Sequence, residues 1–179
     1  MQLLKEVAAT VTRLGVLSRV PPSAAVPRVA SDENAYKTLA RELGMQVRWW
    51  YRRSADDVDK AFAEIVREGI TALDVPYMPV TWAHRRQIFA LATRHRLPAI
   101  YWHRGYALDG GFMAYGEDER EVPRRLAGYV DRILKGAKPS DLPVEQPTKF
   151  ELVINLKTAK AFDLTIPPSL LLRADQLIE

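Results

Sequence analysis

The chain has 179 residues, 47% of them hydrophobic and 27% charged, the balance of a globular domain long enough for a core of its own. The absence of cysteine excludes a disulfide framework, a thiol nucleophile and a Cys-based metal site. The net charge is +4, but the basic clusters Arg52-Arg53, Arg85-Arg86, Arg94-His95-Arg96 and Arg124-Arg125 come without a nucleic-acid reader motif. They are read as solvated helix faces, and no nucleic-acid partner is expected.

The opening run MQLLKEVAATVTRLGVL has no basic leader region, no continuous apolar segment and no small-residue cleavage site, so the chain as written is expected to stay in the cytoplasm. Within it, residues 2–10 predict a short amphipathic helix with Leu3, Leu4, Val7 and Ala8 on one face. Residues 14–17 form a short apolar run suited to a buried parallel strand, ended by Pro21-Pro22. Ser31 or Asp32 is expected to cap a helix reaching Leu43, with Gly44 as its left-handed stop. Residues 45–51 are aromatic-rich and read as a second strand. There the neighbours Trp49 and Trp50 must face opposite sides of the sheet, one in the core and one under a covering helix.

Ser54 is expected to cap the next helix, with Asp56 and Asp57 in its first turn and Phe62, Ile65 and Val66 on its apolar stripe. Residues 70–75 read as the third strand. A helix capped by Thr81 and ending near His95 follows, and residues 97–102 read as the fourth strand. Each strand-helix step takes about thirty residues, the size of a βαβ unit, which predicts a Rossmann-like parallel sheet with helices on both faces. After Trp102 the rhythm changes. Gly110-Gly111 precedes a short apolar piece, 112–115. A helix over 122–134 and a Pro-punctuated link over 138–147 come next. Residues 149–154 read as a last strand, Asn155 caps a short helix to Phe162, and Ser169 starts a terminal one.

The run GYVDRILKGAKPSDLPVEQPTKFELVINLKTAKA, residues 128–161, resembles the tail of the ABC-transporter substrate-binding family that includes tryptophan and tyrosine receptors. The ending LTIPPSLLLRAD, 164–175, is similar to the same family, as are AHRR at 83–86, HRLPAIY at 95–101 and GGFMAYG at 110–116. The likeness covers nearly the whole chain and is strongest from Leu97 onward. It implies a type I periplasmic-binding fold, in which two Rossmann-like lobes close on a small ligand. Residues 1–110 and 148–179 would form the second lobe. Residues 111–147 would be the crossover and the helix that packs on a first lobe not contained in this chain.

The resemblance further implies a periplasmic, amino-acid-like ligand carrier that serves an ABC permease. Departures from the family stand at 18–22 (Ser-Arg-Val-Pro-Pro, in place of an Asn-Pro-type loop) and at Pro76-Tyr77-Met78. Gly105 replaces Glu, and Asp163 replaces a helix-stopping Gly.

In an open parallel sheet, ligands bind outside the carboxyl ends of the strands, near the switch in strand order. That nominates the loops after Leu17, Val75 and Trp102, with Ser18, Arg19, Tyr77, His103, Arg104, Tyr106 and Tyr115 as ligand-binding residues. Tyrosines offer a flat face with a hydroxyl, and Arg104 could grip a carboxylate at two points.

No catalytic activity, cofactor or metal is expected. His84 and His95 are too far apart for one site, and no nucleophile elbow or phosphate loop occurs. Asp74 has no acidic pair after the first strand and reads as a core or edge polar residue. The acidic run at 117–121 reads as the solvated entry to the next helix. Two alternatives stay open. One is an effector-sensing domain of a transcription regulator, for which a helix-turn-helix segment would have to lie upstream. The other is an orphan lobe that forms a homodimer through the 122–134 helix, whose Val122, Leu126, Val130, Ile133 and Leu134 lack an evident partner.

Overall fold

The computed structural model describes residues 1–18, 27–51 and 56–179; Arg19, Pro21, Pro22 and Ser54 lie outside the described residues. The chain opens with α1 (Gln2–Val7) and β1 (Arg13–Ser18), then α2 (Pro27–Glu42) and β2 (Gln46–Tyr51). α3 (Asp56–Arg67), β3 (Ala72–Val75), α4 (Pro79–Ala83), α5 (Arg85–Arg94) and β4 (Ala99–Tyr101) follow. The second half runs α6 (Arg104–Leu108), β5 (Met113–Glu117), α7 (Glu121–Leu134), β6 (Phe150–Asn155), α8 (Leu156–Ala161), α9 (Pro168–Leu171) and β7 (Gln176–Ile178).

Among the described residues these strands make one sheet in the order β2-β1-β3-β4-β5-β6-β7. Every pair is parallel except β5 with β6, which is antiparallel. The expected parallel sheet therefore holds with one reversal, made where the chain leaves β5, runs through α7 and the link, and returns.

The central strands are mainly apolar because both of their faces are covered: all four residues of β3 are buried, Asp74 among them. On β2 the two tryptophans show how the faces are shared. The Trp50 indole is buried and donates to Glu64 of α3 at 3.0 Å. Trp49, on the other face, meets the Tyr36 ring of α2 edge-on at 6.1 Å. Successive strand residues point to opposite faces, so α2 and α3 cover opposite sides of the sheet. On α3, Val58, Ala61, Phe62 and Ile65 lie on one stripe and all are sealed in the core.

Four local expectations are corrected. First, α2 starts at Pro27, ahead of Ser31 and Asp32, because proline is pre-set for the first helical position and loses no needed N–H there. Second, Thr81 is not a cap but the third residue of α4, after Met78. Its buried hydroxyl accepts from the Met78 N–H at 3.1 Å and lies 2.9 Å from the Tyr106 hydroxyl. The helix is also interrupted at His84, between α4 and α5. Third, residues 104–108 are helical, capped by a histidine: the His103 Nδ1 accepts from the Gly105 N–H at 3.1 Å. Fourth, the terminal helix is a single turn. Beyond it the Asp175 carboxylate accepts from the Leu152 N–H at 2.7 Å, and the Asp175 N–H donates to the Leu152 carbonyl at 2.9 Å. That two-way bond lays β7 alongside β6.

Asn155 caps α8 as read, accepting from the Thr158 N–H at 3.1 Å. Asp163 takes a left-handed φ of 56° after that helix, where its Cβ makes the conformation dearer than for glycine.

Candidate functional site

Strand order reverses at β1, whose neighbours are β2 on one side and β3 on the other. A cleft of about 530 Å³ opens at this carboxyl edge. β3 contributes Asp74 to its lining, β4 contributes Ile100, and the following turn adds Trp102 and His103. β5 supplies Tyr115, Gly116 and Glu117; Glu119 and Phe150 come from beyond it and Tyr36 from α2.

Asp74 is the one charged residue of β3, and only 3% of it is exposed. Its carboxylate accepts from the Trp102 indole N–H at 2.6 Å and from the Tyr36 hydroxyl at 3.1 Å. Burial pushes this carboxyl above the usual range; the Met1 ammonium and those two hydrogen bonds act against the rise. The Tyr36 and Trp102 rings stack at 6.4 Å, so an aromatic pair screens the acid from the side.

A second aromatic group stands at the N-terminal ends of α4 and α6. Tyr77 stacks on the His103 imidazole at 4.6 Å, with Trp82 edge-on to both. Since His103 Nδ1 accepts from the backbone, Nε2 carries the hydrogen and meets Glu119 at 2.8 Å. Gly105 leaves the room this packing needs: a Cβ there would lie 2.8 Å from the Trp82 ring and 2.9 Å from His103. Opposite, Tyr115 stacks on Phe150 at 5.7 Å. Gly116 lets β5 come so close to the turn that a Cβ would sit 2.1 Å from the Trp102 carbonyl oxygen.

Of the residues nominated from sequence, Tyr77, His103 and Tyr115 meet at this cleft. Ser18 ends β1 without joining the described lining, and Arg19 lies outside the described residues. Tyr106 is fully buried, its hydroxyl turned to Thr81. Arg104 is committed elsewhere: its guanidinium donates to both oxygens of buried Glu151 at 3.2 and 2.9 Å and to Gln176 at 2.9 Å. Sequence reading did not nominate Asp74, Tyr36, Trp102, Glu119 and Phe150, which line the same cleft. The available signal was an acid inside an otherwise apolar strand, 72–75.

A second concavity, about 570 Å³, lies between α7 and the link at 139–149. α7 has no buried residue, and Leu126 and Val130 stand 59% and 55% exposed. Polar contacts hold the segment instead. Arg125 donates to the Gln146 carbonyl at 3.0 Å and to the Thr148 hydroxyl at 2.6 Å, and the Tyr129 hydroxyl donates to the Pro143 carbonyl. At its root Asp118 receives Arg120 at 2.7 Å and Lys149 at 3.2 Å. The Arg120 guanidinium, its backbone N–H and Lys149 hold the Asp118 carboxyl well below the usual carboxylate range. No group of residues among those described could hold a metal ion, and no described helix is long and apolar enough to cross a membrane.

Comparison with known proteins agrees with this architecture. A conserved domain protein from Vibrio cholerae superposes with a TM-score of 0.83 at 23% identity, over 98% of this chain and 58% of its own. The ABC domain from Streptococcus pneumonia, solved in complex with L-Trp, gives a TM-score of 0.83 at 22% identity, over 99% and 58%. A ligand-free, open substrate binding protein with adhesive properties from Clostridium difficile gives 0.73 at 20%, over 99% and 58%. The chain therefore spans under two thirds of each of these structures, and the likeness establishes the fold. No curated protein matches at a significant level. The family described as ABC transporter substrate binding protein matches residues 1–178, and the chain belongs to that family.

Proposed function

We propose that this chain is one lobe of a two-lobed solute receptor, which binds a small amino-acid-like molecule outside the cytoplasm and hands it to an ABC permease without chemical change. The observation that carries this reading is the aromatic-lined cleft at the carboxyl edge of the sheet, where the strand order switches. Family membership and the L-Trp held by the Streptococcus structure support a solute of this class. Tyr77, His103 and Tyr115 would contact the ligand, together with Trp102 and Phe150. Ser18, the last residue of β1, would extend the same rim, and Arg19, the next residue in sequence, is proposed as a ligand contact with it.

In this reading residues 1–110 and 148–179 form the lobe, and residues 111–147 cross to a first lobe. The exposed apolar face of α7 supports a crossover over the later part of that segment, while β5 itself lies in this sheet between β4 and β6. A ligand clamped between two lobes loses most of its contact surface when only one is present. Calorimetric titration of the chain with the common amino acids should therefore give weak, saturable binding, on the order of millimolar. Sub-micromolar binding would contradict the two-lobe reading, and no binding of any solute would contradict the receptor reading.

The same face of α7 favours a second reading, a homodimer in which each copy covers the other's apolar stripe. Sedimentation as a monomer at all concentrations would remove it.

A further inference from the structure

Resting on the receptor reading above, we infer that the cleft selects an organic cation, its charged nitrogen seated at Asp74 and its apolar body against Trp102, Tyr115 and Phe150. Three acids, Asp74, Glu117 and Glu119, contribute to the lining, and no described lining residue is a lysine or arginine. The arginine that sequence reading offered to a ligand carboxylate, Arg104, is already paired with Glu151. The described lining of the cleft thus presents negative charge and aromatic faces, the two partners a cation seeks.

Asp74 itself is the strongest anchor. A carboxylate has about four acceptor positions, and the donors described around this one are two neutral groups, Trp102 and Tyr36. Ionised, a buried acid in that state is held at a cost that either a proton or a cation relieves. The rings of Tyr36 and Trp102, stacked beside the acid, would exclude water from the pair and strengthen it.

The test compares three probes with one ring and different heads by calorimetry: phenethylamine, 2-phenylethanol and 3-phenylpropionate. The amine should bind best and the carboxylate worst. Asp74→Asn keeps the size, although its NH2 must replace one of the two acceptor oxygens facing Trp102 and Tyr36, and it should weaken the amine roughly tenfold or more while weakening the alcohol clearly less, because a charge-assisted hydrogen bond is worth about that much. Amine binding should also weaken as the pH falls through the range in which Asp74 takes up its proton, which lies above the usual carboxylate range. Near-UV circular dichroism checks that the variant is folded. If it is not, Glu119→Gln serves, with a smaller loss for the amine alone. Equal or tighter binding of 3-phenylpropionate would overturn the inference, as would amine binding indifferent to both substitutions. If amino acids bind and Asp74→Asn leaves them unaffected, the inference fails while the receptor reading stands. If no solute binds at all, both fail.

Discussion

α3 and α7 are both amphipathic helices of similar length, yet the structure uses them in opposite ways. α3 presses Val58, Ala61, Phe62 and Ile65 into the core until almost nothing of them reaches solvent. α7 carries Val122, Leu126, Val130 and Ile133 on a comparable stripe, and each stays at least 40% exposed. Periodicity decides that a helix has an apolar face; it does not decide that the chain itself supplies the cover. α3 follows β2 directly and falls back on the sheet. α7 leaves the sheet after β5 and is tied back through ion pairs and backbone hydrogen bonds around Asp118, Arg125 and Tyr129. α3 belongs to a finished core, while the apolar stripe of α7 stays largely exposed among the described residues.

Four measurements sharpen or break that contrast. The largest effect is expected for Phe62→Ala, which empties a sealed position and should cost about 3–5 kcal/mol in denaturant unfolding. Arg104→Ala comes next at roughly 3 kcal/mol, since it removes the main partner of buried Glu151 and leaves only the Arg120 contact at 3.3 Å. If this variant instead kept its stability and lost solute binding, Arg104 would be a ligand residue after all.

A pH effect follows for the root of α7. The folded-state Asp118 carboxyl lies below its ordinary value of 3.8, so its stabilising contribution is present above that pH and is lost as the pH falls below it. Hydrogen exchange should show α7 and the link losing protection in acid before the sheet, and Asp118→Asn should show the same loss at neutral pH. The smallest effect is expected for Leu126→Gln, within about 0.5 kcal/mol for the chain alone. A large loss there would mean that α7 is part of this core and would dissolve the contrast.

Much of the fold was legible because strands with both faces covered read as plain apolar runs, and because the strand-helix rhythm repeats through Tyr101. The misreadings have local causes. A histidine cap hid α6, since imidazole is an uncommon acceptor for a helix N-terminus. The three-residue β7 depends on Asp175 bonding to β6, a contact far apart in sequence.

The site was legible in part. Loop position brought Tyr77 and His103 to the cleft, and Tyr115 joins them from β5. It could not foresee that Arg104 would turn to Glu151, 47 residues away, or that Tyr106 would be sealed against Thr81. Asp74 was visible as an acid in an apolar strand, but its meaning depends on Tyr36 and Trp102, which only the folded sheet brings to it.

The central claim is that the carboxyl-edge cleft takes an organic solute. It is tested most directly by backbone and indole amide shifts in nuclear magnetic resonance during titration with L-tryptophan and with phenethylamine. The account predicts saturable shifts gathered at Tyr77, Trp102, His103 and Tyr115, with α7 silent. Shifts centred on Leu126 and Tyr129, or none with either probe, would contradict it.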